Sequence, residues 1–153
     1  MVGFFKIIDR MAGKKRARRR SRLAQHDSHY HTHKEFARAI IHERVQHWNI
    51  HYGFSYHRIA IKNQRRCWGS CSEHSNLNFN YKIVFLPEAL MDYVIVHELC
   101  HLAELNHSPR FWGLVGQTLP DYSEARAHLK RITHVPAQGF PSSRVGQHYA
   151  TRS

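Results

Sequence analysis

The chain has 153 residues, 42% hydrophobic and 12% aromatic, enough for one domain with a packed core and too few for two. No apolar run approaches the roughly 18 residues of a membrane-spanning helix, and three cysteines are too few and odd in number for a secreted disulfide framework. A reducing, cytoplasmic setting without membrane contact is expected. The net charge is +12, yet Lys14–Arg22 alone carries seven Lys or Arg and no acid; most of the excess is local.

Residues 1–32 are basic and His-rich, with little hydrophobic periodicity and a turn-prone patch at His26–His33; they are expected to form a mobile arm. The opening MVGFFKIIDRMAGKKR is not read as a secretory signal, because its short apolar part carries Lys6 and precedes the basic run. From Lys34 to about His51, Phe36, Ile40, Ile41, Val45 and Trp48 recur at spacings of three and four, the stripe of a helix that Gly53 then stops. Between Phe54 and Leu86, the runs Arg58–Lys62, Cys67–Ser70, Leu77–Tyr81 and Ile83–Leu86 are separated by Asn, Gly and Ser and predict a small antiparallel sheet. Pro87 opens a helix whose stripe of Leu90, Val94, Ile95, Leu99 and Leu102 extends to about Leu105. Ser108-Pro109 starts another, and Tyr122 to about Ile132 a last one. The polar stretch 137–153 reads as a tail. This order predicts a single α+β domain over 33–136, a small antiparallel sheet packed on helices.

The chemistry concentrates in His97-Glu98-Leu99-Cys100-His101, an H-E-x-x-H on the predicted helix. Residues four apart share a helix face, so both imidazoles can reach one metal ion, while Glu98 is rotated to where it can accept a proton from a water molecule. Zinc in such a site makes water a nucleophile near neutral pH. With 15 His in the chain, the motif has a chance expectation of ~0.07 matches, so context must support it. His107 supplies that context as a third ligand. On a straight helix its Cα would lie about 15 Å along the axis from that of His97, so the chain must turn, and Leu105-Asn106 followed by Ser108-Pro109 offers the means: Asn tolerates the left-handed conformation and Ser-Pro starts a new helix. Three protein ligands to Zn2+ leave one position for water, as in catalytic rather than structural zinc sites.

The segment HELCHLAELNHSPRFW resembles the metal-binding segment of the YgjP-like family of zinc metallopeptidases, related to the SprT-like and WLM zincins. Trp68-Gly69-Ser70-Cys71-Ser72, Asn76-Leu77-Asn78-Phe79-Asn80 and Pro120-Asp121-Tyr122 match it as well, so the resemblance covers roughly Gln64 to Lys130. It implies a minimal zincin fold with His97, His101 and His107 on the metal and Glu98 as general base. The family usually carries Arg immediately before Trp-Gly-Ser-Cys; Cys67 stands there in this chain, with Arg66 and Arg65 displaced by one and two places. The His spacing also equals that of metzincins, but Glu104 occupies the position of their turn-forming Gly, and that class is not assigned.

Other candidates carry plainer readings. Cys67 and Cys71 lack a second Cys or His pair at zinc-finger spacing and are read as buried or loop thiols, and Cys100 as a packing residue. His26, His29, His31 and His33 are read as parts of a polar arm, and His47 and His51 as ordinary helix residues. Tyr122 is a possible hydrogen-bond donor to an oxyanion, with packing as the equal alternative. Leu77–Tyr81 is either an edge that aligns an extended peptide or an inner strand. The expected function is a zinc-dependent metallopeptidase acting on a peptide or protein. The competing readings are a nucleic-acid-binding or docking protein acting through Lys14–Arg22 and a structural metal protein without turnover.

Overall fold

The computed structural model describes residues 3–132; the expected tail 137–153 and the last residues of the expected 33–136 domain lie outside the described residues. Along the chain run α1 (Gly3–Tyr52), β1 (Arg58–Lys62), β2 (Gly69–Cys71), β3 (Asn76–Asn80), a 3₁₀ turn (Tyr81–Phe85), α2 (Glu88–Cys100), α3 (Pro109–Thr118) and α4 (Tyr122–Arg131). The architecture is α+β, as expected.

The helix expected over Lys34–His51 begins much earlier, at Gly3. Periodicity reports burial, not helicity, and this stretch is rich in Lys, Arg and Ala, which favour helix without a buried stripe. The patch expected to be turn-prone is helical too, and it contacts the body. The Tyr30 hydroxyl donates to the Ile61 carbonyl at 3.0 Å, and the His29 ring, stacked on that of His33, bonds through Nδ1 with the Tyr81 hydroxyl at 3.0 Å. On the packed part of α1, Ala37, Ile41 and Val45 are fully buried at helical spacing, while Phe36, expected in the stripe, is exposed. Gly53 ends the helix at φ +64° with its N–H donating to the Asn49 carbonyl, a left-handed C-terminal stop that costs glycine little.

The sheet is mixed rather than antiparallel. Its order is β1-β3-β2, with β1 parallel and β2 antiparallel to β3. Local alternation marks the buried face, here Ile59 and Ile61 beside Leu77 and Phe79, but carries no information on strand direction. Leu77–Tyr81 is therefore the inner strand, and β2 is an edge. The run expected as a strand over Ile83–Leu86 instead enters the 3₁₀ turn, which Asn80 caps: its side-chain oxygen accepts from the Lys82 N–H.

Helix α2 is the centre of the molecule, packed by α1, β2, α3, α4 and the 3₁₀ turn. Every residue from Leu90 to Val96 is buried. The buried carboxylate among them, Asp92, is paired with Arg44 of α1 through both oxygens, Nε to Oδ1 at 2.8 Å and Nη2 to Oδ2, the bidentate geometry in which a buried charge is tolerated. Among the described residues no helix is long and apolar enough to cross a membrane.

Candidate active site

Helix α2 stops at Cys100, earlier than the expected Leu105, with His101 as its C-cap. The chain tightens at once: Leu102 donates to Leu99, and Ala103 and Glu104 to Cys100. Asn106 takes part in the turn, though not through left-handed backbone as expected; the described non-glycine residue with positive φ is Ser75. The Asn106 side-chain oxygen accepts from the Ser108 N–H at 2.9 Å instead, an Asx-type turn. Ser108 then caps α3 by accepting from the Phe111 N–H, with Pro109 in the first turn, as expected.

This reversal returns His107 to the end of α2. His97 Nε2 lies 3.2 Å from His101 Nε2 and 3.0 Å from His107 Nε2. Two nitrogens each about 2.0 Å from a tetrahedral ion would lie about 3.3 Å apart, so the three-imidazole donor set fits a divalent metal, zinc included. The structure brings together all three His residues expected as ligands, and they form a group that could hold a metal ion. His101 Nδ1 is 3.0 Å from the Glu104 carbonyl; donating its proton there directs the Nε2 lone pair to the shared centre. Burial first, then the neighbouring imidazoles and Arg126, pulls the His97 pKa down to about 3. Burial also lowers that of His101, partly opposed by its bond to Glu104. Both rings are thus neutral, the form that donates a lone pair.

Glu98 sits beside this cluster, 6% exposed, and burial pushes its pKa up to about 8. Its Oε2 is buried without a hydrogen-bond partner, a costly arrangement of the kind found at functional sites. Gly69 of β2 forms the floor against it: a Cβ there would lie 2.7 Å from Glu98 Cγ and 2.8 Å from Oε1. The sequence signal for Gly69 is Trp68-Gly69-Ser70-Cys71, a match whose role becomes visible only in three dimensions. Asn80 anchors the loop leading into that strand. Fully buried, it donates to the Gln64 carbonyl at 2.7 Å and the Cys67 carbonyl at 3.1 Å, and its N–H donates to Trp68.

Aromatic rings close the other side. The Trp112 ring stacks on His107 at 5.6 Å, and Tyr122 stacks on Trp112 at 5.2 Å. Tyr122 therefore joins the site wall through packing. Of the remaining candidates, Cys100 is buried, Cys67 donates to Gln64 at 3.1 Å, and His51 meets Gln117.

The fold is similar to that of the metallopeptidase zymogen abylysin of Pyrococcus abyssi, with a TM-score of 0.55 and 20% identity over 60% of this chain and 93% of that one. No curated protein sequence matches the chain significantly. The model of the YgjP-like metallopeptidase domain matches residues 5–132, and the chain belongs to that family.

Proposed function

We propose that the protein is a zinc-dependent metallopeptidase in which His97, His101 and His107 hold the metal and Glu98 is the general base. The observation that carries this reading is the convergence of three imidazole nitrogens beside a buried, proton-avid carboxyl group. When bound, zinc supplies an activated water and polarises the scissile carbonyl. In its ionised form, which the positive charge of a bound metal would favour against the effect of burial, Glu98 accepts the proton of the attacking water and passes it to the leaving amine. The Gly69 floor packed against it holds its carboxyl in one place, so little reorganisation accompanies that transfer. Edge strand β2, beside Glu98, is the element on which an extended peptide can align by strand addition.

The Glu98→Gln variant tests the assignment. It should retain one zinc per chain while peptide hydrolysis falls by roughly 100-fold or more. Hydrolysis at the parental rate would remove Glu98 as the base.

Lys14–Arg22 is part of α1 and precedes His29 and Tyr30, which hydrogen-bond to Tyr81 and to the Ile61 carbonyl. We propose that this basic helical segment contacts nucleic-acid phosphates, holding the enzyme near bound protein. The affinity of the intact chain for duplex DNA should fall steeply with salt, and deleting residues 1–22 should flatten that dependence. An unchanged slope would rule the segment out.

A further inference from the structure

One cation of α4 reaches the wall of the site. The Arg126 guanidinium carbon lies 4.5 Å from the Trp112 ring centroid, and the Trp112 ring is 5.6 Å from that of His107 and 5.9 Å from that of His97. Arg126 is exposed. Among the described residues no carboxylate pairs with it, whereas Arg44 is bound by Asp92 and Arg110 lies 3.9 Å from Glu104. An aromatic face holds a guanidinium through its π cloud and leaves the N–H fork for another acceptor. The anions that a peptide offers are carboxylates, whose two oxygens match that fork. Glu98, the acid described inside the site, is buried against Gly69.

We propose that Arg126 is a specificity-determining residue that receives a carboxylate of the peptide bound at the His97–His101–His107 site, an inference that rests on the peptidase reading above. The carboxylate is either the C-terminal group of the peptide or an acidic side chain. The test measures binding rather than turnover, in the full zinc-loaded chain carrying Glu98→Gln. The probes are short alanine peptides with Glu or Gln at successive positions, each as the free acid and as the C-terminal amide, followed by calorimetry.

At least one carboxylate peptide should bind roughly 10-fold or more tightly than its neutral counterpart. Adding Arg126→Gln should abolish that preference while leaving neutral peptides unchanged, and Arg126→Lys should keep part of it. A preference lost on amidation assigns the C-terminal carboxylate, and one lost on Glu-to-Gln exchange assigns an acidic side chain. Equal binding of charged and neutral peptides, equal weakening of both by Arg126→Gln, or no binding at all would overturn the proposal. Cleavage by the chain with Glu98 intact is scored separately: an Arg126-dependent preference without any cleavage would sink the peptidase reading and leave the carboxylate site standing.

Discussion

Glu98 and Gly69 form a contact that excludes any side chain at position 69. A methyl group there would overlap the carboxyl stem at 2.7 Å, and neither neighbour yields easily, one being backbone in a paired strand and the other a buried side chain. Gly69→Ala should therefore displace the carboxyl by a fraction of an ångström and lower kcat/KM roughly 100-fold, with zinc content unchanged. Parallel metal analysis and peptide kinetics would check this; an active alanine variant would show that the site relaxes. The proposed ligands His97 and His101 and the proposed base Glu98 can be named without the fold, because H-E-x-x-H depends only on the helical repeat. Gly69 was legible as a motif member but not as a partner of Glu98, since nothing local in Trp68-Gly69-Ser70 says which side chain it will face.

At the scale of elements, the turn between α2 and α3 determines whether two imidazoles become three. His107 occupies a loop between the C-cap at His101 and the N-cap at Ser108, so its position depends on where α3 begins. Ser108→Ala removes the cap and should destabilise the protein by about 1 kcal/mol. It should also loosen zinc, measured as faster loss to a chelator, whereas Ser108→Asp, which can cap equally well, should behave as the parent. A zinc off-rate unaffected by Ser108→Ala would separate His107 from the helix start. The Ser-Pro signal was readable because capping is local chemistry. The earlier stop of α2 was not, since Leu102, at stripe spacing, fits a longer helix as well as a turn that packs against the core.

For the molecule as a whole, the buried cation Lys82 links stability to pH. Its residue is 1% exposed, and burial, then Arg65, brings its pKa down to about 8, against about 10.4 in an unfolded chain. Between these values the unfolded state binds more protons than the folded one. Stability from this group is therefore full above the unfolded pKa, declines as pH falls toward 8, and levels off below it. Relative to Lys82→Met, the parent should gain on the order of 1–3 kcal/mol in unfolding free energy between pH 8 and 10. Denaturant melts at both pH values for the two proteins would check the difference, and parallel slopes would remove Lys82 as the cause.

Local patterns alone determined the α+β order, the buried stripe of α1, the cap at Ser108 and the candidate set of three His with Glu98, because helical repeat, capping and strand alternation operate within a few residues; that α2 is buried all round from Leu90 to Val96 came from its place at the centre of the fold. They left open the length of α1, because Lys and Arg make a helix without making a stripe. Strand direction was equally hidden: β1 and β3 pair directly although β2 lies between them in the sequence, and alternation reads the same forwards and backwards. Tertiary structure alone set Gly69 under Glu98, Asn80 beneath the loop that carries it and Arg126 over Trp112. Each of these pairs residues from different segments, and such contacts arise only when the helices and sheet pack around α2.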